Sequence, residues 1–74
     1  MRAVFETQLA DVQSRLVEIA NDAAIVMDKA SKAFTTSNVA LADEAIAIAD
    51  ATADKALALD ELVIKILDHV ICIT

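Results

Sequence analysis

The 74-residue sequence contains neither glycine nor proline, and this absence constrains the fold more than any other feature. Those two residues supply the tight turns and the breaks that β-hairpins and meanders need. The sequence is rich instead in alanine, leucine, isoleucine, aspartate and glutamate, most of which helices accept well. We therefore predict an all-α protein built from few, long helices.

The first half of the sequence carries one line of apolar residues spaced alternately by four and three positions. This spacing is typical of a helix that packs along its length on another helix. It predicts a helix over residues 3–34. The line consists of Phe5, Leu9, Val12, Leu16, Ile19, Ala23, Val26, Ala30 and Ala33.

The only break follows as Thr35-Thr36-Ser37-Asn38, whose side chains suit a turn and the start of a helix. Residues 35–38 are predicted to form the turn, with Ser37 or Asn38 as the cap of the next helix. A second helix is predicted over residues 39–71, and its line again has four-three spacing. That second line consists of Ala42, Ile46, Ala49, Ala53, Ala56, Asp60, Val63, Leu67 and Val70.

Two helices of matched length and a short link predict an antiparallel hairpin that forms a single unit over residues 1–74. Alanine-rich lines bury little area, and Cys72 has no second cysteine for a disulfide, so the hairpin alone is predicted to be marginally stable. The isoleucines near the C-terminal end also exceed what one helix can cover. We therefore predict a missing third helix or self-association into a homo-oligomer.

The net charge of −6 argues against nucleic acid and anionic membranes as partners, because both attract clustered lysine and arginine. No apolar run approaches the roughly 18 residues that span a bilayer, so no membrane insertion is predicted. No signal peptide is recognisable. Together with the single cysteine, these features predict a cytoplasmic location.

The second half is acidic, and Asp43, Asp50, Asp54 and Glu61 fall within about 20° of one line on an ideal helix. Such carboxylates could share a hard cation. A solvated helix face explains the same pattern more simply, so we predict no metal site.

Catalytic chemistry is equally unsupported by the sequence. His69 is the only histidine and Cys72 has no activating neighbour in helical register. Phosphate-binding loops and nucleophile elbows require glycine. We predict neither an enzyme nor a bound cofactor.

Several short segments, in order and without gaps, make the chain resemble the start of the PhoU family of phosphate-transport regulators. The resemblance covers four regions. They are the start of the first helix, including Met1-Arg2, the end of that helix, the start of the second helix, and an acidic stretch that is followed by a pair of aliphatic residues. The residues are Met1, Arg2, Phe5, Leu9, Val12, Leu16, Ala30, Ala33, Phe34, Leu41 to Ile46, Leu59-Asp60-Glu61 and Ile66-Leu67.

The resemblance implies an incomplete three-helix bundle from a regulator that contacts a phosphate ABC transporter and a histidine kinase. It also implies possible metal binding by carboxylates of helix two. In the ungapped comparison those carboxylate positions fall on Ala49 and Ala53 and only Asp60 matches. The third helix of the family, with its metal-binding motif, is not in this sequence, which resembles a truncated member.

The prediction is therefore a regulator of phosphate transport and signalling that acts by protein–protein contact. The predicted interface residues are Phe5, Leu9, Leu16, Ile19, Ile46, Val63 and Leu67. Two alternatives stay open, a self-associating structural hairpin and a carboxylate-based metal-binding protein in which Asp50, Asp54 and Asp60 would take part.

Overall fold

The computed structural model describes the backbone of residues 2–73 and the side-chain exposure of residues 2–72. It contains two helices, α1 (Arg2–Thr36) and α2 (Val39–Ile73), that pack against each other as an antiparallel hairpin. No strand occurs in the described residues. The hairpin measures 55 × 16 × 12 Å between its outermost Cα atoms. The predicted all-α hairpin is confirmed.

The turn is shorter than the predicted segment 35–38, and that prediction was wrong by two residues. Thr35 and Thr36 continue α1, and their hydroxyls donate to carbonyls one turn back; the bond from Thr36 Oγ1 to the Lys32 carbonyl is 2.6 Å. Ser37 then takes a left-handed conformation with φ of 53°. The Asn38 N–H donates to the Ala33 carbonyl at 3.0 Å, which closes the end of α1.

Asn38 also starts α2, as one of the two caps that the sequence allowed. Its side-chain Oδ1 accepts a hydrogen bond from the Leu41 N–H at 3.0 Å, and its carbonyl accepts the Ala42 N–H at 3.1 Å. One residue thus satisfies donors at the start of α2 and an acceptor at the end of α1. Two residues therefore suffice to reverse the chain without glycine.

The helices meet along what we call the inner line, the residues that are buried or half-buried where α1 faces α2. Only four apolar residues of the described chain are buried, namely Ala33, Ala45, Leu59 and Ile66. The remaining positions are half-buried, and several are polar. In α1 the inner line is Gln8, Val12, Ile19, Asp22, Val26, Lys29 and Ala33, and in α2 it is Ala45, Ile48, Thr52, Lys55, Leu59, Leu62 and Ile66.

The inner line of α2 corrects part of the second packing line predicted from the sequence, of which Ala42, Val63 and Val70 are half-buried and the other members are exposed. It falls one residue before the predicted Ile46, Ala53 and Leu67, and one residue turns a helix by about 100°. Ile48, Leu59 and Ile66 are the large apolar residues of the observed line, as Ile46 and Leu67 are of the predicted one, so the two rotations differ little in the apolar area that they bury.

Lys55 can lie on the inner line because α1 presents two carboxylates to it. Lys55 Nζ lies 2.7 Å from Asp22 Oδ2 and 2.9 Å from Glu18 Oε1. The hydrogen bond to Asp22, and then the one to Glu18, raises the pKa of the Lys55 ammonium above its ordinary value. A second, weaker ion pair joins the helices nearer the turn, with 3.5 Å between Lys29 Nζ and Glu44 Oε2.

Ser37→Gly tests the turn. Glycine adopts a positive φ without the steric penalty that Ser37 bears, and part of that gain is lost to the entropy of the unfolded chain. We expect the free energy of unfolding to rise by about 0.5 kcal/mol in urea denaturation at a fixed chain concentration. The control Ser14→Gly, in the middle of α1, should lower it by about 0.5 kcal/mol. A destabilised Ser37→Gly variant would contradict the left-handed turn.

Lys55→Met tests the ion cluster. The raised pKa means that folding favours the protonated Lys55, so the contribution is complete below the ordinary lysine pKa of about 10.4 and is lost as pH rises through the higher folded value. We expect Lys55→Met to melt at a lower temperature than wild type at pH 7, with the difference disappearing at strongly alkaline pH. Lys32→Met, which removes only an exposed pair within α1, is the control. Equal melting temperatures for the two variants at pH 7 would refute this assignment.

Candidate interaction surface

The two flanks of the inner line differ in chemistry. One flank carries the ion pairs between the helices, formed by Glu18 and Asp22 with Lys55 and by Lys29 with Glu44. On an ideal helix, residues two apart lie about 160° from each other around the axis. Leu16 therefore lies opposite Glu18, and Ile46 lies opposite Glu44, on the second flank.

The second flank of each helix is apolar, and we call the two together the open face. At the turn end its halves meet in a groove of about 510 Å³ that α1 and α2 both line. Ala30 and Phe34 lie on one side of the groove and Ile46 and Ala49 on the other, so the two halves form one surface. The open face consists of Phe5, Leu9, Leu16, Ala23, Ala30 and Phe34 from α1, and Ala42, Ile46, Ala49, Ala53, Ala56, Asp60, Val63, Ile64 and Leu67 from α2.

The large side chains of the open face are well exposed. Leu16 keeps 52% of its surface, Ile46 59% and Phe34 88%. Asp60 is the one charged residue among the members of the open face. A continuous apolar surface that runs the length of a protein this small is characteristic of a site that binds another protein.

All seven predicted interface residues belong to or border this surface. Phe5, Leu9, Leu16, Ile46 and Leu67 are exposed members of the open face, Val63 is a half-buried member, and Ile19 is half-buried on the inner line beside it. Their role as an interface stays a prediction.

The total surface of the hairpin is larger than that of a compact protein of the same mass. The hairpin exposes 5593 Å² of solvent-accessible surface. A folded monomer of this 7.9 kDa mass typically exposes about 4,400 Å². The excess of roughly 1,200 Å² is comparable to the area that one partner buries in a stable protein complex, about 800 Å².

The carboxylates do not gather into a metal centre in the part of the chain that the structure describes. No group of three or more His, Cys, Asp or Glu side chains there is arranged to hold an ion. Asp50 and Asp54 lie on the outward side of α2, and Asp60 lies about 120° around the helix from Asp54 and about 9 Å along it. The metal-binding alternative therefore has no structural observation in its favour.

The two residues considered for catalytic chemistry lie near the end of α2. His69 and Cys72 are both exposed, and no buried polar or charged side chain occurs in the described residues. Neither helix of the described chain combines the length and apolar character needed to cross a membrane.

Comparison with known proteins gives no assignment, since no family model, curated protein or solved structure matches this chain. The fold therefore defines the class as a two-helix antiparallel hairpin with one apolar face. The resemblance to the PhoU family remains a prediction made from the sequence.

Proposed function

We propose that the chain is a non-catalytic interaction module whose open face binds helices of other polypeptides. The observation that carries this proposal is the continuous apolar surface from Phe5 and Leu67 at one end to Phe34 at the other. An apolar face of this kind is the receptor in helix-in-groove recognition, where a partner helix inserts side chains at one-turn spacing.

The distribution of charge supports the same reading. The acidic line of α2, with Asp50 and Asp54, points away from both α1 and the open face. The ion pairs occupy the opposite flank and engage Lys55 and Lys29 within the hairpin. The open face is therefore the place where binding releases the most water from apolar surface with the least desolvation of charge.

The narrower proposal is that these contacts regulate phosphate transport and phosphate signalling in the cytoplasm. It is supported by the sequence resemblance to the PhoU family alone. The partners would then be the cytoplasmic parts of a phosphate ABC transporter and of its histidine kinase, each offering an amphipathic helix to the open face.

The variant Leu16→Glu, with Val17→Glu as its control, tests both the interaction module and the narrower phosphate-regulation proposal. The two residues are similarly exposed, at 52% and 60%, but only Leu16 is on the open face. Burying an unpaired carboxylate at an interface typically weakens binding at least about a hundredfold. We expect the host's transporter and kinase to bind immobilised wild type and Val17→Glu, and not Leu16→Glu, in biosensor measurements.

The cellular readout is a phosphate-starvation reporter in phosphate-rich medium. Deleting the gene should raise reporter activity, and wild type or Val17→Glu should restore repression while Leu16→Glu should not. An unchanged reporter in the deletion strain would refute the phosphate role. Equal behaviour of the two variants in every binding assay would refute the use of the open face.

A further inference from the structure

We propose that a second copy of this chain occupies the open face, in a symmetric dimer in which the two hairpins lie antiparallel, the turn of one beside the chain ends of the other. This inference rests on the proposed function, because it names the polypeptide that the open face binds. It would make the dimer a four-helix bundle in which every pair of neighbouring helices runs antiparallel.

The first argument is the gradient of side-chain size along the open face. The half nearer the chain ends carries Phe5, Leu9, Leu16, Ile64 and Leu67. The half nearer the turn has Phe34 and Ile46 as its large residues, is otherwise alanine and contains the 510 Å³ groove. A partner that fits this surface must be thin where the hairpin is bulky and bulky where it is thin, and an inverted copy has that shape.

The second argument is the register within α1. In an antiparallel pair of α1 helices related by a two-fold axis, Leu16 lies opposite Ala23 of the partner and Leu9 opposite the partner's Ala30. Both pairs are centred between residues 19 and 20, at the middle of α1. Phe5 lies opposite the partner's Phe34, a pair centred at the same point, so an aromatic pair forms at each end of the contact. Large and small side chains then alternate across the contact, as closely packed layers require.

The α2 helices pair about a centre of their own, with one contact of small on large and one of large on large. Ala49 lies opposite the partner's Ile64, and Ile46 opposite the partner's Leu67, with both pairs centred between residues 56 and 57. That point is within one residue of the middle of α2. The two-fold axis that serves α1 therefore serves α2 as well.

The other symmetric arrangement, turn beside turn, fits poorly. It sets α1 on the partner's α2 at equal height, so that Leu9 meets Leu67 at one end and Ala23 meets Ala53 at the middle. The spacing of two helices follows the size of the side chains between them, over roughly 8 to 10 Å. The helices would diverge at one end, leaving voids at the alanines.

A single helix from another protein covers less of the open face than a second copy does. One helix in the groove between α1 and α2 contacts both helices but leaves Ile64, which does not line the groove, in water. A second copy places one helix over α1 and one over α2. The 55 × 16 Å outline of the hairpin gives this contact the dimensions of a stable interface.

The decisive experiment exchanges the facing residues and measures the dimer by sedimentation equilibrium. We expect wild type to reach twice its 7.9 kDa mass at micromolar concentration. Leu16→Ala leaves two symmetric cavities and Ala23→Leu creates two symmetric clashes, so each should weaken the dimer at least about tenfold. The double variant Leu16→Ala/Ala23→Leu restores one large and one small residue at every contact and should recover the wild-type dissociation constant to within about threefold.

Matched controls and a second measurement keep the test independent of folding. Ala24→Leu, on the outward side of α1, should leave the dimer unchanged, and circular dichroism checks the helicity of each variant. Spin labels on the native Cys72 report the arrangement without any substitution. The antiparallel dimer predicts a label distance near the 55 Å length of the hairpin, whereas turn beside turn predicts less than about 25 Å, two helix diameters.

Asp60 gives a variant with a gain of affinity. It lies on the open face opposite the partner's Ala53, where its carboxylate loses water and gains no cation. We expect Asp60→Ala to tighten the dimer about tenfold or more. Asp50→Ala removes the same charge from the outward side of α2 and should change the dissociation constant less than about twofold.

Each result separates this inference from the proposed function. A chain that stays monomeric to millimolar concentration while Leu16→Glu still abolishes partner binding would overturn the dimer and leave the interaction module standing. A dimer with a short Cys72 distance, or without rescue by the exchanged pair, would overturn the antiparallel arrangement. If Leu16→Glu alters neither self-association nor partner binding, both proposals fail.

Discussion

The contact of Lys55 with Asp22 and Glu18 decides how the two helices face each other. Two helices made largely of alanine and aliphatic residues could pack in several rotations with little difference in buried apolar area. A charged side chain on the inner line favours one of these rotations, because its ammonium then reaches carboxylates on the other helix. With Lys55 Nζ at 2.7 Å from Asp22, α2 faces α1 with a line one residue away from the one that its periodicity predicted.

This choice of rotation creates the open face. The residues that would have filled the hairpin, such as Ile46 and Leu67, lie on the surface, while Thr52 and Lys55 are half-buried between the helices. Only four residues of the described chain are buried, too few to stabilise a domain of this length by burial alone. Covering the open face therefore adds the apolar burial that the hairpin lacks, which links binding to stability.

The charges on the rest of the surface lie away from the open face. The acidic line of α2 is exposed and directed outward, where its mutual repulsion is weakened by water and salt. The ion pairs between the helices form on the flank opposite the open face. The hairpin thus has one flank that fixes its own geometry and one that is available to another polypeptide.

The sequence by itself determined the two helices and the region where the chain reverses. The absence of glycine and proline, the four-three spacing and the break at Thr35 to Asn38 predicted two long helices and an antiparallel return, because these are local properties of the backbone and its side chains. Thr35 and Thr36 were misjudged as turn residues, since their hydroxyls bond equally well to carbonyls within a helix.

Only the tertiary structure decided which apolar line of α2 faces α1. Periodicity identifies the most apolar stripe of a helix but carries no information about what the other helix presents to it. Whether Lys55 is tolerated beside the contact depends on Glu18 and Asp22, which lie more than 30 positions away in the chain. Pairing between residues so distant in sequence is a property of the assembled hairpin, so the open face could be recognised only after the helices were placed side by side.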